Sequence, residues 1–174
     1  MSQIIVTAVG PDRPGIVADL SKHVHAVGAS LADSRMVNLR GQFALLALVE
    51  GSDEVLAKLR TALGDDAKRL GLRLEIEGCE GGPAREAGSV PYRLKTYSAD
   101  QPGIVARVTS VLQRHGANVE ELSSRVESAP FAGTPLFTLD AVITLPKGAA
   151  LRKLRDDLET LDEELGCDID LDPI

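Results

Sequence analysis

The sequence predicts an α+β protein built from two ferredoxin-like βαββαβ domains, each with an antiparallel sheet. The first observation behind this prediction is an internal repeat. PGIVA occurs at residues 14–18 and again at 102–106, 88 positions later. The second observation is that the apolar pattern around each copy changes in the same order between helical and strand spacing. A chain of 174 residues has room for two such domains, so we interpret the repeat as a duplicated fold unit.

The elements of the first copy follow from its apolar periodicity. Ile16, Val17, Leu20, Val24 and Val27 recur at helical spacing. LRLEIE, near the end of the copy, alternates apolar and charged residues as a half-buried strand does. The expected elements are strands at 2–10, 30–40, 42–50 and 72–78, and helices at 14–27 and 53–70.

The second copy repeats these elements with one insertion. The first helices align at an offset of 88, QFALLALV aligns with LFTLDAVI at 94, and the second helices align at 95. Six extra residues therefore lie near residues 128–135. We expect a first domain at 1–78, a Gly-, Ala- and Pro-rich linker at 79–91 and a second domain at 92–174. Because small domains bury little surface, we expect the two to pack together or on another subunit.

The composition excludes several classes of protein. The net charge is −7 and Lys and Arg form no cluster, so direct binding to nucleic acid is not expected. The N-terminal residues do not read as a signal peptide, and no segment reads as a membrane span, which makes the cytoplasm the expected compartment. Two cysteines are too few for a disulfide framework.

The repeated motif begins the first helix of each copy. Its Pro suits a first helical turn, because proline lacks an N–H that would have no partner there. The Asp two residues earlier is placed to cap free N–H groups, and the Gly has no Cβ to prevent close approach of a ligand. The motif is therefore either a helix start signal alone or an anion site at the helix N-terminus. The residues alone leave both interpretations open.

The motif and its surroundings resemble the ACT domain. Asp-x-Pro-Gly-Ile-Val is followed in both copies by Gly-Ala at the end of the predicted helix. GPDRPGIVADL with GASLADSRM is similar to the first domain of the glycine cleavage system transcriptional repressor family. NVEELSSRV with GTPLFTLDAVITLP is similar to its second domain. ACT domains are regulatory modules that typically bind amino acids at the interface between two copies, so the resemblance implies an amino-acid sensor.

The resemblance also implies which residues contact a ligand. They lie in the loop between the first strand and the first helix and at the start of the second strand. In the first copy they are Asp12, Arg13, Pro14, Gly15 and Ile16, with Ser30 and Asp33. In the second copy they are Asp100, Gln101, Pro102, Gly103 and Ile104, with Asn118. Ser30 stands where the second copy has Asn118, so the first site departs from the family pattern or is specific for a different ligand.

No catalytic residue, metal site or cofactor is predicted. His23 and His25 are two positions apart and point in different directions on a helix, so we interpret both as solvated surface residues. His115 ends a helix, where a protonated imidazole suits the helix dipole. Cys167 holds an apolar strand position and is expected to be a buried, inert thiol, whereas Cys79 starts the linker.

Two further features are possible binding groups by residue type. Asp168, Asp170 and Asp172 alternate along the last strand, and we interpret them as a solvated face in preference to a cation site. Phe131 lies in the inserted loop, where it either covers a ligand or a partner surface or makes a satellite core contact.

The sequence therefore predicts a regulator and not an enzyme. We expect it to sense an amino acid, with glycine favoured by the resemblance, and to act on transcription of the glycine cleavage system through a DNA-binding regulator protein. A homodimer is left open. The alternative is a regulatory subunit of an amino-acid or one-carbon metabolic enzyme, or a cryptic enzyme.

Overall fold

The computed structural model describes residues 1–79, 88–128 and 135–174. The chain divides into two compact units, Met1–Pro83 and Ala84–Ile174. Most of the predicted linker and the insertion that contains Phe131 lie outside the described residues.

The first unit has the predicted order of strands and helices. Its sheet has the strand order β2-β3-β1-β4, and every pair of neighbouring strands is antiparallel. The elements are β1 Ser2–Pro11, α1 Ile16–Ala26, β2 Ser30–Leu39, β3 Gln42–Gly51, α2 Asp53–Leu70 and β4 Arg73–Gly78.

The second unit repeats this topology. Its sheet has the strand order β6-β7-β5-β8, again with antiparallel neighbours. The elements are β5 Val90–Ala99, α3 Ile104–Arg114, β6 Asn118–Ser128, β7 Pro135–Leu145, α4 Leu151–Leu165 and β8 Cys167–Pro173. The predicted fold class, two ferredoxin-like βαββαβ domains, is confirmed.

Each unit has its own aliphatic core between the helices and one face of the sheet. In the first unit, alternate residues of β1, namely Ile4, Val6 and Ala8, are buried with apolar residues of both helices. In the second unit, Leu94 of β5 and Ile143 of β7 lie fully buried in the equivalent cluster. The helices thus cover one face of each sheet, and the alternate residues of the strands point to the opposite face. We call this second surface the open face.

The second strand of each unit carries a bulge at the same place in the repeat. The pairing of β2 with β3 shifts between Leu31 and Asp33. The pairing of β6 with β7 shifts between Val119 and Glu121, 88 positions later. A bulge that recurs at the repeat offset is a feature of the fold unit.

An ion pair joins the two helices of the first unit. His23 Nε2 lies 2.6 Å from Asp66 Oδ2, and His23 Nδ1 lies 2.8 Å from the carbonyl oxygen of Asp19. The His23 side chain is only 14% exposed. The expectation of a solvated His23 is therefore wrong, because α2 lies against this face of α1. His25, two residues on, is exposed as expected.

The charges at a second helix-to-helix position are inverted between the two units. In the second unit, Arg107 of α3 pairs with Glu164 of α4. The repeat offsets place Asp19 of α1 and Arg69 of α2 at these positions. A hydrogen bond from Arg13 lowers the pKa of Asp19, and the positive charge of Arg69 adds to this effect.

Candidate functional site

The loop between β1 and α1 is tied to the turn between β2 and β3. The Asp12 N–H donates to the carbonyl oxygen of Gly41 at 2.8 Å. The Asn38 amide donates to the Asp12 carboxylate at 2.5 Å and accepts from the Gly41 N–H at 3.0 Å. Asp12 therefore anchors the loop to the sheet. The expectation that it caps α1 is wrong, since no side chain caps this helix.

Arg13 spans the first turn of α1. Its guanidinium donates to the Asp19 carboxylate at 2.8 Å, while its carbonyl oxygen accepts from the Ile16 N–H at 3.4 Å. The hydrogen bond from Arg13 lowers the pKa of Asp19 and keeps that carboxylate ionised. A cation is thus held beside the helix N-terminus, where a ligand carboxylate would lie.

Gly15 and Gly103 precede their helices in the left-handed conformation, with φ of +85° and +93°. This conformation is costly for other residues and explains the Gly of the motif. It also starts each helix at the following Ile, so the Pro of the motif does not occupy the first helical turn as expected. A Cβ built at either Gly meets nothing within 4 Å. The space beside each Gly, where a Cβ would lie, is therefore open.

The loop between β5 and α3 has different anchors. The Asp100 N–H donates to the carbonyl oxygen of Pro135 at 3.0 Å. The Gln101 side-chain amide donates to the carbonyl oxygen of Leu165, at the end of α4, at 2.8 Å. Gln101 is thus a structural tie, and no side chain caps α3, so the expectation that Asp100 caps this helix is wrong.

The Ile of each motif belongs to the core. Ile16 and Ile104 are 2% and 1% exposed. Their side chains pack with the sheet and the second helix of their own unit. At these two positions a ligand can contact only the backbone. Pro14 and Pro102, in contrast, are exposed on the loops.

The second group of implied contacts lies at the far end of the sheet within each unit. Ser30 lies opposite Glu50, which pairs with Gln3 near the start of β1, whereas Asp12 follows the end of β1. Eight residues of β1 separate Gln3 from the end of the strand at Pro11, a distance of about 26 Å at 3.3 Å per residue. Asp33 lies near the Ser30 end, since its partner Leu48 pairs with Ile5.

The same separation holds in the second unit. Asn118 lies opposite Thr144, which pairs with Pro91 near the start of β5, while Asp100 follows the end of that strand. The Asn118 amide is therefore not within reach of a ligand at Gly103 in its own unit. Within one unit, Asn118 and the loop at Gly103 therefore cannot contact the same ligand.

Polar contacts surround the strand-start residues. The Asn118 amide donates to the Glu120 carboxylate at 3.0 Å, and the Thr144 hydroxyl donates to the same oxygen at 2.8 Å. In the first unit, Asp33 accepts from Arg35 at 2.5 Å. Sequence reasoning missed Glu120, although it sits within the bulge of β6.

A groove of about 370 Å³ lies between α3 and α4 of the second unit. Two ion pairs border it, Arg107 with Glu164 and Arg114 with Asp157. A hydrogen bond from His115 lowers the pKa of Asp157. His115 is 11% exposed and joins α3 to α4 through this contact at 2.8 Å. Its role is structural, and the groove lies on the helical side of the unit.

The three aspartates of β8 and Cys167 lie where the sequence suggests. Asp168, Asp170 and Asp172 are exposed. Within residues 1–79, 88–128 and 135–174, no cluster of three or more His, Cys, Asp or Glu is placed to hold a metal ion. Cys167 is buried, and burial raises the pKa of its thiol. None of the helices in the described part of the chain is both long and apolar enough to cross a membrane.

Both units match known family models. Models described as the ACT domain match residues 2–77 and residues 92–159. The chain therefore belongs to the ACT-domain family and carries two ACT domains in tandem. The resemblance seen in the motifs is confirmed.

Individual proteins with similar sequences include a transcriptional repressor and a shorter archaeal protein. The glycine cleavage system transcriptional repressor of Escherichia coli (strain K12) is 29% identical over 126 residues, which cover 72% of this chain and 66% of that protein. The chain thus spans slightly less than two thirds of this relative. A UPF0237 protein of Methanopyrus kandleri is 41% identical over 71 residues, or 41% of this chain and 73% of that protein.

A solved structure shares the whole architecture. The crystal structure of an unknown protein from Galdieria sulphuraria superposes with a TM-score of 0.82 and 30% sequence identity. The match covers 99% of this chain and 98% of that one. The tandem arrangement of two βαββαβ units is therefore shared over the full length of both chains.

Proposed function

We propose that this protein senses an amino acid and regulates transcription of the glycine cleavage system through a partner protein. The observation that carries the proposal is the duplicated loop, which leaves the N-terminus of α1 and of α3 uncapped by side chains, with open space beside the Gly that precedes each helix. The 29% identity to the glycine cleavage system transcriptional repressor supports the regulatory role and favours glycine as the ligand.

The ligand carboxylate binds the free backbone N–H groups of the first helical turn after Gly15 or Gly103, which in the first unit come after Ile16 because the Ile16 N–H donates to Arg13. Free N–H groups and the helix dipole favour an anion at this point. The ligand ammonium is placed near the exposed carboxylate of Asp12 or Asp100. Arg13, Pro14, Gln101 and Pro102 shape the two loops.

Ser30, Asp33 and Asn118 contact the ligand only if a second copy of the domain brings its strand start to the loop. The separation of about 26 Å within a unit leads to this requirement. It agrees with the inter-domain binding that the ACT resemblance implies. If Asn118 serves a ligand in this way, Asn118→Ala weakens binding by about 1–3 kcal/mol, the cost of a buried polar group left without its partner.

The regulator acts on DNA through its partner. The chain has a net charge of −7 and an isoelectric point near 5.0. Binding to duplex DNA depends on cations that replace phosphate counterions, and this chain has no basic cluster. A fluorescence anisotropy titration of the protein alone at physiological salt should therefore show no sequence-specific binding to duplex DNA. Specific binding without a partner contradicts this part of the proposal.

A thermal-shift screen of the common amino acids tests the ligand site, because a ligand that binds the native state raises the Tm. Glycine should raise the Tm of the wild type. Asn tolerates the left-handed conformation better than other residues with a side chain, so Gly15→Asn and Gly103→Asn place an obstacle over each helix with limited strain. Both substitutions together should abolish the shift.

Gly28 and Gly116 provide matched controls. Both have positive φ, +79° and +68°, but lie at the opposite ends of α1 and α3. Gly28→Asn and Gly116→Asn should lower the basal Tm by a similar amount and retain the ligand shift. The site is rejected if no amino acid raises the wild-type Tm, or if the shift survives in the combined Gly15→Asn and Gly103→Asn variant.

A further inference from the structure

The open face of the first sheet is apolar at its centre. The residues of β1 and β3 that point away from the helices are Ile5, Thr7, Val9, Ala44, Leu46 and Leu48. The three residues from β3 and the buried residues between them form an uninterrupted apolar run at residues 43–49, FALLALV. Such a run is typical of a strand that is covered on both faces, whereas a strand with one wet face alternates.

The second unit shows that the fold does not require an apolar open face. The equivalent residues of β5 and β7 are Arg93, Lys95, Tyr97, Thr138, Asp140 and Val142. Thr7 pairs with Leu46 in the first unit, and Lys95 pairs with Asp140 at the same place in the second. The two sheets have the same topology, so the apolar open face is a property of the first unit alone.

The apolar face is partly exposed to solvent in the single chain. Leu46 is 50% exposed and Val37 of β2, which pairs with Ala44, is 44% exposed, while Ile5, Val9 and Leu48 are partly buried. A contiguous apolar patch of this kind marks an interaction surface. Its natural complement is a second apolar sheet face, since two sheets pack face to face with their strands roughly aligned. The open face of the second unit is charged, so the complementary surface is the same face of another chain.

The size and the charges of the face agree with face-to-face packing of two copies. The four strands of the first sheet present about 600 Å² in projection, taking 4.8 Å per strand and 3.3 Å per residue. A stable interface buries about 800 Å² of accessible surface per partner, and the surface of a pleated sheet exceeds its projection. A two-fold axis parallel to the strands places β4 of one copy over β2 of the other. Thr7 and Leu46 lie in one row across the sheet, with Glu75 of β4 at one end and Arg35 of β2 at the other. Glu75 of one copy then faces Arg35 of the other copy.

We propose that the open face of the first sheet is the interface of a homodimer, with two copies packed face to face about a two-fold axis. The interface is centred on Ile5, Leu46 and Leu48 and is bordered by Glu75 and Arg35. This surface is distinct from the loops at Gly15 and Gly103, so the proposal is independent of the proposed ligand site.

Sedimentation analysis over a range of concentrations tests the proposal. The wild type should sediment at twice the chain mass of 18.4 kDa. Thr7→Lys with Leu46→Asp gives the first sheet the Lys95–Asp140 pair of the second, which supplies a cross-strand charge pair to a half-exposed site and preserves the fold. Burial of these charges against a second copy should raise the dimer dissociation constant by about a hundredfold or more.

Tyr97→Asp is the matched control. Tyr97 of β5 lies on the open face of the second unit and is 51% exposed, similar to Leu46. This variant should remain dimeric. Circular dichroism and the Tm establish that the Thr7→Lys, Leu46→Asp variant is folded, and Leu46→Thr provides a milder second variant. A monomeric wild type at all concentrations overturns the proposal, as does a folded Thr7→Lys, Leu46→Asp protein that is still dimeric.

Discussion

His23 of the first unit and Val111 of the second occupy the same position of the repeat, and so do their partners on the second helix, Asp66 and Leu161. The offset of 88 relates the first helices, and 95 relates the second helices. In the first unit the position holds an ion pair of 2.6 Å. In the second, Val111 and Leu161 are both buried in the apolar core. The same pair of positions on the two helices is thus ionic in one unit and apolar in the other.

The ionic contact makes the first unit sensitive to pH. Both ring nitrogens of His23 face oxygen acceptors, so only the protonated imidazolium can donate to both. The Asp66 carboxylate raises the pKa of His23 above 6.5, while hydrogen bonds from Arg69 and then His23 lower the pKa of Asp66. The stabilisation by His23 is therefore fully present below pH 6.5 and is lost as the pH rises through the raised pKa.

The difference in Tm between wild type and His23→Gln measures this effect. Gln cannot become charged, so the wild type should exceed the variant clearly at pH 5.5 and much less at pH 9. His25→Gln, at an exposed position of the same helix, should show a small difference that does not follow this course. A His23→Gln difference that is constant from pH 5.5 to 9 contradicts the assignment.

Replacing the ion pair with the apolar pair of the second unit should restore the contact. Asp66→Leu alone leaves His23 Nε2 without its acceptor, and His23→Val alone leaves the Asp66 carboxylate beside an apolar group. The His23→Val, Asp66→Leu double variant should therefore lose less free energy of unfolding than the sum of the two single variants. Denaturant titrations at pH 6 measure the three values. Additive losses would show that the two side chains do not act as a pair.

Thr96 offers a position where the second unit can be stabilised. Its side chain is fully buried, and its hydroxyl has no hydrogen-bond partner in the described structure. Ala8 stands at the equivalent place in the first unit. Thr96→Val keeps the shape and removes the unpartnered hydroxyl, so the free energy of unfolding should rise by about 1–3 kcal/mol. Thr96→Ser keeps the hydroxyl and loses the methyl group, and should be less stable than the wild type in the same denaturant titration.

The two cysteines should differ in reactivity. Cys167 is buried in the second core, and burial raises the pKa of its thiol, which lowers the fraction of reactive thiolate. Cys79 is partly exposed at the end of the first unit. A colorimetric thiol reagent at pH 8 should therefore titrate one cysteine in the native protein and two in denaturant. Cys79→Ser should abolish the native reaction, and rapid labelling of Cys167 in that variant contradicts its burial.

The fold could be predicted because the same order of apolar patterns occurs twice in the sequence. The apolar spacing of α1 and α3 and the alternation in LRLEIE and CDIDLD locate elements within a few residues of their observed bounds. The predicted start of α1 is two residues too early. Proline followed by glycine is compatible with a first helical turn, and only the backbone shows that Gly15 is left-handed and ends the loop.

The candidate site was predicted less well because its contacts join distant parts of the chain. Asn38 holds Asp12 across 26 positions, and Gln101 meets Leu165 across 64. No local pattern predicts either contact. The separation of Ser30 from Gly15 follows from strand direction, since β2 runs parallel to β1 and therefore starts where β1 starts. The assignment of ligand contacts stays a prediction.

The inverted charges at the second helix-to-helix position bear on how a duplicated chain folds without mixing its halves. Nearly identical repeats can exchange equivalent segments during folding, which produces misassembled products. If α1 docked on α4, Asp19 would face Glu164, and if α3 docked on α2, Arg107 would face Arg69. Both mismatched combinations bring like charges together, whereas both native ones bring opposite charges together. The charges at this position thus favour the native combinations of helices over both exchanged ones.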